Sequence, residues 1–270
     1  MSRTLIMGVL NVTPDSFSDG GRWASTDAAI EHGLLLAAQG ADLIDVGGES
    51  TRPGATRVPP AEEQSRVVPV ITELARQGLR ISVDTLNGST ARAAAEAGAE
   101  IINDVSGGLA DPLMASVAAE TGLTYVAMHW RGHAQQMDAL ALYDDVVAEV
   151  HAALAERIAV LTAAGVARDR IVLDPGLGFA KLPEHNWRVL AHLDALADLG
   201  LPVMVGASRK RFLAEVVPDG APVTDRDLAT AVVSVLSAQA GAWAVRVHDV
   251  PGTRTALNVL DRLGSTRMVS

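Results

Sequence analysis

The sequence has 270 residues, 49% of them hydrophobic and 20% charged, with no cysteine and a formal net charge of −10. These figures exclude a disulfide-stapled scaffold, a thiolate nucleophile and cysteine-held zinc or iron–sulfur sites, and they supply enough apolar matter for a large core. With Arg209-Lys210-Arg211 as the sole basic cluster, no nucleic-acid partner is expected.

The apolar run Leu5 to Leu10 is broken at once by Asn11-Val12-Thr13-Pro14-Asp15. It is too short and wrongly flanked for a signal peptide, so a cytoplasmic location is the expectation. From there, β-type runs alternate with helical segments eight times. The strands are predicted at Thr4 to Leu10, Asp42 to Val46, Arg80 to Val83, Glu100 to Asn103, Leu123 to Met128, Arg170 to Leu173, Pro202 to Val205 and Trp243 to Val247. The helices between and after them are predicted at Thr26 to Gln39, Ala61 to Gln77, Ser89 to Ala97, Pro112 to Glu120, Tyr143 to Ala164, Pro183 to Leu199, Asp225 to Ala240 and Thr253 to Leu263.

Continuously apolar strands separated by helices imply a parallel sheet covered on both faces. Eight such units most simply close into a single-domain (β/α)8 TIM barrel over 1–270, a fold that typically takes about 250 residues. A doubly wound open sheet is the alternative, but the glycine fingerprint of a dinucleotide turn is absent after Leu10. The apolar segment Leu228 to Val245 contains Thr230, Ser234, Ser237, Gln239 and Gly241 and follows Asp225-Arg226-Asp227. It reads as a buried helix running into a strand, or as a subunit-interface helix that would suit a homodimer, and not as a membrane span, so no membrane partner is expected.

Each predicted strand ends in chemistry. In order, the ends carry Asn11, Asp45 with Glu49-Ser50-Thr51-Arg52, Asp84, Asn103 with Asp104, His129, Asp174, Ser208-Arg209-Lys210, and Arg246 with His248. In a barrel all of these converge on the C-terminal face, where catalytic loops lie. Polar residues also follow strands as caps and turns, which accounts for Asp104, Asp45 and Asp249. Asp174 opens the glycine-punctuated stretch Asp174-Pro175-Gly176-Leu177-Gly178-Phe179-Ala180-Lys181, where it either caps the next helix or waits for a ligand with ring N–H donors. Asp84, Asn103 and Asp174 together suit a flat ring with several donors and acceptors. Arg246 and His248, two apart and so on one side of a strand, resemble with Lys210 and the Ser208 and Gly252 turns the phosphate site of barrel loops seven and eight. Lys181 and Lys210 are the only lysines, and both lie in turns where a compact charge suits an anionic or carbonyl-bearing ligand. The residues thus describe a barrel enzyme taking a polar heterocycle and an anion.

The chain also resembles the dihydropteroate synthase family. The resemblance is carried by Met7 to Gly21, with Asn11-Val12-Thr13-Pro14-Asp15-Ser16-Phe17-Ser18-Asp19-Gly20-Gly21, and by Gly47-Gly48-Glu49-Ser50-Thr51-Arg52-Pro53-Gly54. Ser82-Val83-Asp84-Thr85, Ile102 to Gly108, Asp174 to Lys181, Gly206-Ala207-Ser208-Arg209-Lys210 and Arg246-Val247-His248-Asp249 continue it in the family's order. The resemblance implies condensation of para-aminobenzoate with hydroxymethyl-dihydropterin diphosphate, giving dihydropteroate and pyrophosphate, and a target for sulfonamides. It implies that Asp84, Asn103, Asp174 and Lys210 hold the pterin and that Asn11, Arg52, Arg246 and His248 hold the diphosphate, with Asn11 also giving an oxygen to Mg2+. It further implies that Phe17, Thr51, Pro53, Phe179 and Ser208 border the aminobenzoate.

The chemistry is consistent: diphosphate leaves well only when its charge is neutralised, and a methylene cation left on an electron-rich pterin is delocalised into the ring. A dissociative substitution needs no protein nucleophile; catalysis falls to Asp84, Asp174, Lys210, Arg246 and His248. Two positions depart from the family pattern, Arg211 after Lys210 and the indole of Trp130. Methyl transfer from methyltetrahydrofolate on the same type of barrel would leave the cationic set unused, and a silent pterin-binding paralogue would keep it without turnover. The loops Thr13 to Gly21 and Gly47 to Gly54 have little apolar content to order them, so pterin diphosphate is expected to bind before para-aminobenzoate.

Overall fold

The structure is a computed structural model and describes residues 3–13, 21–49, 57–132, 137 and 139–267. Among them strands and helices alternate as β1 (Leu5–Asn11), α1 (Gly21–Ala38), β2 (Leu43–Gly47), α2 (Pro60–Arg76), β3 (Ile81–Asp84), α3 (Gly88–Glu96), β4 (Ile101–Asp104) and α4 (Met114–Thr121). The second half continues with β5 (Thr124–Met128), α5 (Val146–Ala163), β6 (Ile171–Asp174), α6 (Pro183–Ala191), β7 (Met204–Val205), α7 (Arg226–Gln239), β8 (Ala244–Val247) and α8 (Val250–Arg267).

The strands run parallel in the order β6-β5-β4-β3-β2-β1-β8-β7. The ring closes between β6 and β7 through one parallel bridge, Leu173 to Val203, where the Leu173 N–H donates to the Pro202 carbonyl at 2.8 Å. This is the (β/α)8 barrel expected of the sequence. The open-sheet alternative falls because that bridge joins β6 and β7, the two ends of the strand order.

The two-residue period of a strand sorts the side chains. Met7, Leu43, Ile101, Val126, Val172, Met204 and Ala244 point inward and pack together as the barrel's own core. Their strand neighbours, such as Ile44, Ile102, Leu173 and Val245, face the helices in a separate cluster. One step up five of these inward rows stand Asp45, Asn103, Asp174, Gly206 and Arg246, with Asp84 above Ser82, while the rows of Met7 and Val126 continue into Val9 and Met128. The same alternation that keeps the lower layer dry therefore sets a polar layer over it at the C-terminal mouth.

Several helix boundaries differ from expectation for local reasons. The predicted helix Pro183 to Leu199 ends at Ala191; His192 leaves helical geometry at φ −129°, and a 3-10 segment spans Leu193–Leu199. Leu193 and Leu196, both buried, are three apart, the spacing that a three-residue turn aligns on one face. The helix predicted from Tyr143 begins at Val146, because the Asp145 carboxylate caps it by accepting from the Val147 and Ala148 amides. The helix predicted from Pro112 begins at Met114 after a turn held by Asp111, which accepts from the Leu113 amide at 2.9 Å. Strand seven, predicted from Pro202, begins only at Met204 and runs to Val205, since Pro202 has no N–H to give the ladder.

Candidate functional site

Asp84, Asn103, Asp174, Lys210 and Arg246 meet in the polar layer. Asp84 and Asn103 are register partners on β3 and β4, and Asp174 ends β6 opposite Met128. Arg246 crosses from β8: its Nε donates to Asp45 Oδ2 and its Nη2 to Asp84 Oδ2, each at 2.6 Å. The two groups proposed from sequence, one for a ring and one for an anion, are thus joined by an ion pair inside the barrel. Gly206 occupies an inward position next to Asp174, and a Cβ there would lie 3.6 Å from Asp174 Oδ2. Glycine at that point keeps open the space a flat ring needs beside the carboxylate.

Asp45 corrects an expectation. It is no cap; it is fully buried, and its Oδ2 also accepts from Asn103 Nδ2 at 3.0 Å. The amide of Asn103 is thereby oriented, leaving its Oδ1 and second N–H for other partners. The inward spacing of Asp45 from Leu43 was the signal that could have found it. Asp104 and Asp249 are turn residues as expected: Asp104 faces the helices and accepts from the Ser106 and Gly108 amides and the Tyr125 hydroxyl, and Asp249 accepts from the Gly252 amide.

Burial dominates the electrostatics. It is the largest influence on Asp84 and Asp174 and raises both carboxyls; Arg246 opposes it at Asp84, and the Gly176 N–H opposes it at Asp174. Lys210 is brought down to about 8 by burial, with Asp174 pulling the other way. Burial also works against the charge of Arg246, but Asp45 and Asp84 outweigh it and hold the guanidinium protonated.

The turn after β6 supports this set. The Gly176 N–H donates to Asp174 Oδ1 at 2.7 Å, and the Phe179 ring lies 3.9 Å from Lys210 Nζ, a cation–π contact. Gly178 has φ +74°, and a Cβ there would stand 2.6 Å from Lys210 Cδ, so the lysine stem passes only over a glycine. Phe179 is buried with Val105, Met128, Met137 and Ala180, against which Trp130 packs. The indole is therefore a rim contact of the Phe179 cluster. Arg211 is exposed and begins a 3-10 segment.

Lys181 and His129 depart from the sequence reading. Lys181 is buried, its Nζ against His129 Nδ1 at 2.8 Å, and so faces the turn and not a ligand. Burial, the largest influence, brings Lys181 down to about 7 and His129 down to about 2, so His129 is a neutral acceptor. On the other side of the mouth, Ser208 Oγ lies 2.8 Å from His248 Nδ1 and accepts from the His248 amide. Asn11 ends β1, half-buried, in register with Gly47. Phe17, Thr51, Arg52 and Pro53 lie outside the described residues. Glu49, at the edge of the second loop, pairs with Arg57 at 3.0 Å, and Asn87 links to buried Glu63 at 2.7 Å, contacts that no sequence signal had marked.

Comparison with known proteins agrees with this architecture. Residues 7–248 match the family of pterin binding enzymes. The chain is 53% identical over 260 residues to the dihydropteroate synthase of Mycobacterium leprae, covering 94% of this chain and 92% of that one. Its structure is similar to that of the Xanthomonas albilineans dihydropteroate synthase with 4-aminobenzoic acid, with TM-score 0.91 and 46% identity over 97% of this chain and 94% of that one. The Xanthomonas protein in complex with 7,8-dihydropteroate gives a TM-score of 0.88 at 43% identity, over the same shares of the two chains. The Yersinia pestis dihydropteroate synthase in a sulfonamide drug complex gives 0.91 at 40% identity, over 97% of this chain and 95% of that one.

Proposed function

The chain belongs to the pterin binding enzyme family, and from that membership we infer how its strand-end residues divide the work of a dihydropteroate synthase. It is a transferase that condenses para-aminobenzoate with hydroxymethyl-dihydropterin diphosphate, giving dihydropteroate and pyrophosphate. Methyl transfer falls with that assignment, and turnover is what separates the synthase from a silent paralogue.

We propose that Asp84, Asn103, Asp174 and Lys210 hold the pterin. The observation that carries this reading is the single inward layer that unites two carboxylates, an amide and the network around Arg246 above an apolar floor. Asp174 accepts from ring N–H and amino donors, Asn103 offers an amide whose orientation Asp45 fixes, and Lys210 donates from across the mouth. As the carbon–oxygen bond to diphosphate breaks, positive charge spreads into the ring, and Asp84 and Asp174 are the carboxylates that stabilise it. Arg246, His248, Asn11 and Arg52 take the departing anion. The amine of para-aminobenzoate then adds to the methylene and loses its proton to solvent or pyrophosphate, with no nucleophile from the protein.

Mg2+ is proposed as the diphosphate's companion. Among the described residues no cluster of three or more His, Asp or Glu could cage a metal, and Asn11 offers one amide oxygen at a strand end. That donor set fits an ion held chiefly by phosphate oxygens and water, as Mg2+ commonly is. When bound it would offset the charge of the leaving diphosphate. The test of the whole reading is a coupled assay for dihydropteroate with purified protein, both substrates and Mg2+. Turnover that survives without Mg2+ would remove the ion, and no turnover with it would remove the reading.

The aminobenzoate site we propose lies between Phe179, Ser208 and the loops bearing Phe17, Thr51 and Pro53, and a sulfonamide competes there because its sulfonyl group mimics the carboxylate. Ordered binding predicts that titrated para-aminobenzoate saturates only with pyrophosphate and Mg2+ present; equal affinity without them would overturn the order. A homodimer through α7 is supported by Leu228, Val232 and Leu236, which stand exposed at a spacing of four. No described helix is long and apolar enough to cross a membrane. The cysteine-free composition fits the cytoplasmic location we propose.

A further inference from the structure

Lys181 is one of two lysines in the chain, and substrate binding leaves it without a task. Its side chain is 5% exposed. Three acceptors surround Nζ, one for each N–H: His129 Nδ1 at 2.8 Å, the Gly176 carbonyl at 3.0 Å and the Phe179 carbonyl at 3.3 Å. The turn that offers those carbonyls is tightly wound, with positive φ at Gly176, Gly178 and Ala180 (69°, 74° and 45°). Ala180 pays a steric cost in that conformation, which persists only where surroundings over-determine it. Here the Tyr143 hydroxyl donates to the Ala180 carbonyl at 2.9 Å, and Asn186 accepts from the Gly178 amide at 2.6 Å. The residues whose carbonyls Lys181 holds are the ones that aim the site: the Gly176 amide fixes Asp174 Oδ1, and the Phe179 ring supports Lys210.

We propose that Lys181 is a positioning residue for pterin capture: by tying the Gly176 and Phe179 carbonyls to His129, it sets the direction of the Asp174 carboxylate and the seat of Lys210. The proposal rests on the assignment of Asp174 and Lys210 to the pterin. Because Lys181 and Lys210 are the only side-chain amines, acetylation with an N-hydroxysuccinimide ester followed by peptide mass spectrometry reads both at once, without mutation. Lys210 is expected to be acetylated and to be shielded by hydroxymethylpterin, while Lys181 stays unmodified with or without the pterin until denaturant is added. Acetylation of Lys181 at the rate of Lys210, or its protection only by pterin, would make it a ligand contact and overturn the proposal.

Calorimetry and kinetics on Lys181→Met supply the functional arm. Misaimed groups are expected to raise the pterin dissociation constant, and the KM for pterin diphosphate of the folded protein, about tenfold, with kcat changed less. A purely structural lysine would lower the melting temperature and leave that KM alone. Asp174→Asn separates the two layers of inference. If it binds pterin normally, the pterin assignment fails and the proposal with it; if it binds weakly while folded Lys181→Met binds normally, only the proposal fails.

Discussion

Lys210 is a compact cation in a buried layer, and its titration has a direction. Burial brings it down to about 8, so it is protonated below that pH and neutral above it. If the ammonium is what the pterin meets, kcat/KM for pterin diphosphate falls as pH rises through about 8. Lys210→Arg should cost tenfold or more, because a planar fork cannot take the seat over Phe179, yet it should lack that alkaline limb since guanidinium stays charged. An unchanged limb in Lys210→Arg would assign the titration to another group. At this scale the sequence was readable wherever a polar residue follows an apolar run, as at Asp84, Asn103 and Asp174. Asp45 looks like a cap: its two-residue spacing from Leu43 hints at the shared inward face, but which face of β2 is inward becomes plain only with the register to β3. Lys181 was misread for a related reason: a turn lysine looks ligand-facing until the carbonyls of its own turn are seen to converge on it.

The turn after β6 contains two glycines whose replacement should separate stability from binding. At Gly176 an added Cβ would stand 2.3 Å from the backbone carbonyl oxygen of His129, an obstacle that cannot move without distorting β5. At Gly178 the obstacle is the stem of Lys210, a flexible side chain. Both alanines incur about 1–2 kcal/mol for left-handed geometry. Gly176→Ala should lose clearly more stability in urea unfolding, whereas Gly178→Ala should displace Lys210 and weaken pterin binding more than it lowers the midpoint. The reverse ranking would mean that the turn does not seat Lys210. Among the described residues every strand and α-helix was legible as an element, since apolar runs and helical segments alternate without interruption. Their ends were not. The break at His192 depends on Leu193 and Leu196 finding the core together, and the start of α5 depends on the Asp145 carboxylate taking the Val147 and Ala148 amides and so fixing the cap two residues after Tyr143.

At the scale of the molecule, the exposed row on α7 is the feature that a lone barrel does not explain. Leu228 is 77% exposed, and Val232 and Leu236 continue its face. Leu228→Asp together with Leu236→Asp should shift light-scattering mass from two chains to one at micromolar concentration, with the barrel's circular dichroism unchanged; a wild type already of single-chain mass would end the dimer proposal. Whole-barrel closure was predictable from the count of strand and helix units, but not where it would be thinnest. That place lies between β6 and β7, joined by one bridge where β1 and β2 share five register pairs. Asp174 ends one side of this seam, and Lys210 follows the strand on the other. A pterin gripped by both would act as an extra rung across the gap, so the substrate would complete the wall of its own container. Hydrogen exchange gives the consequence a measurable form: amides of Val203, Met204 and Val205 should slow on adding pterin, and those of β1 and β2 should hardly change.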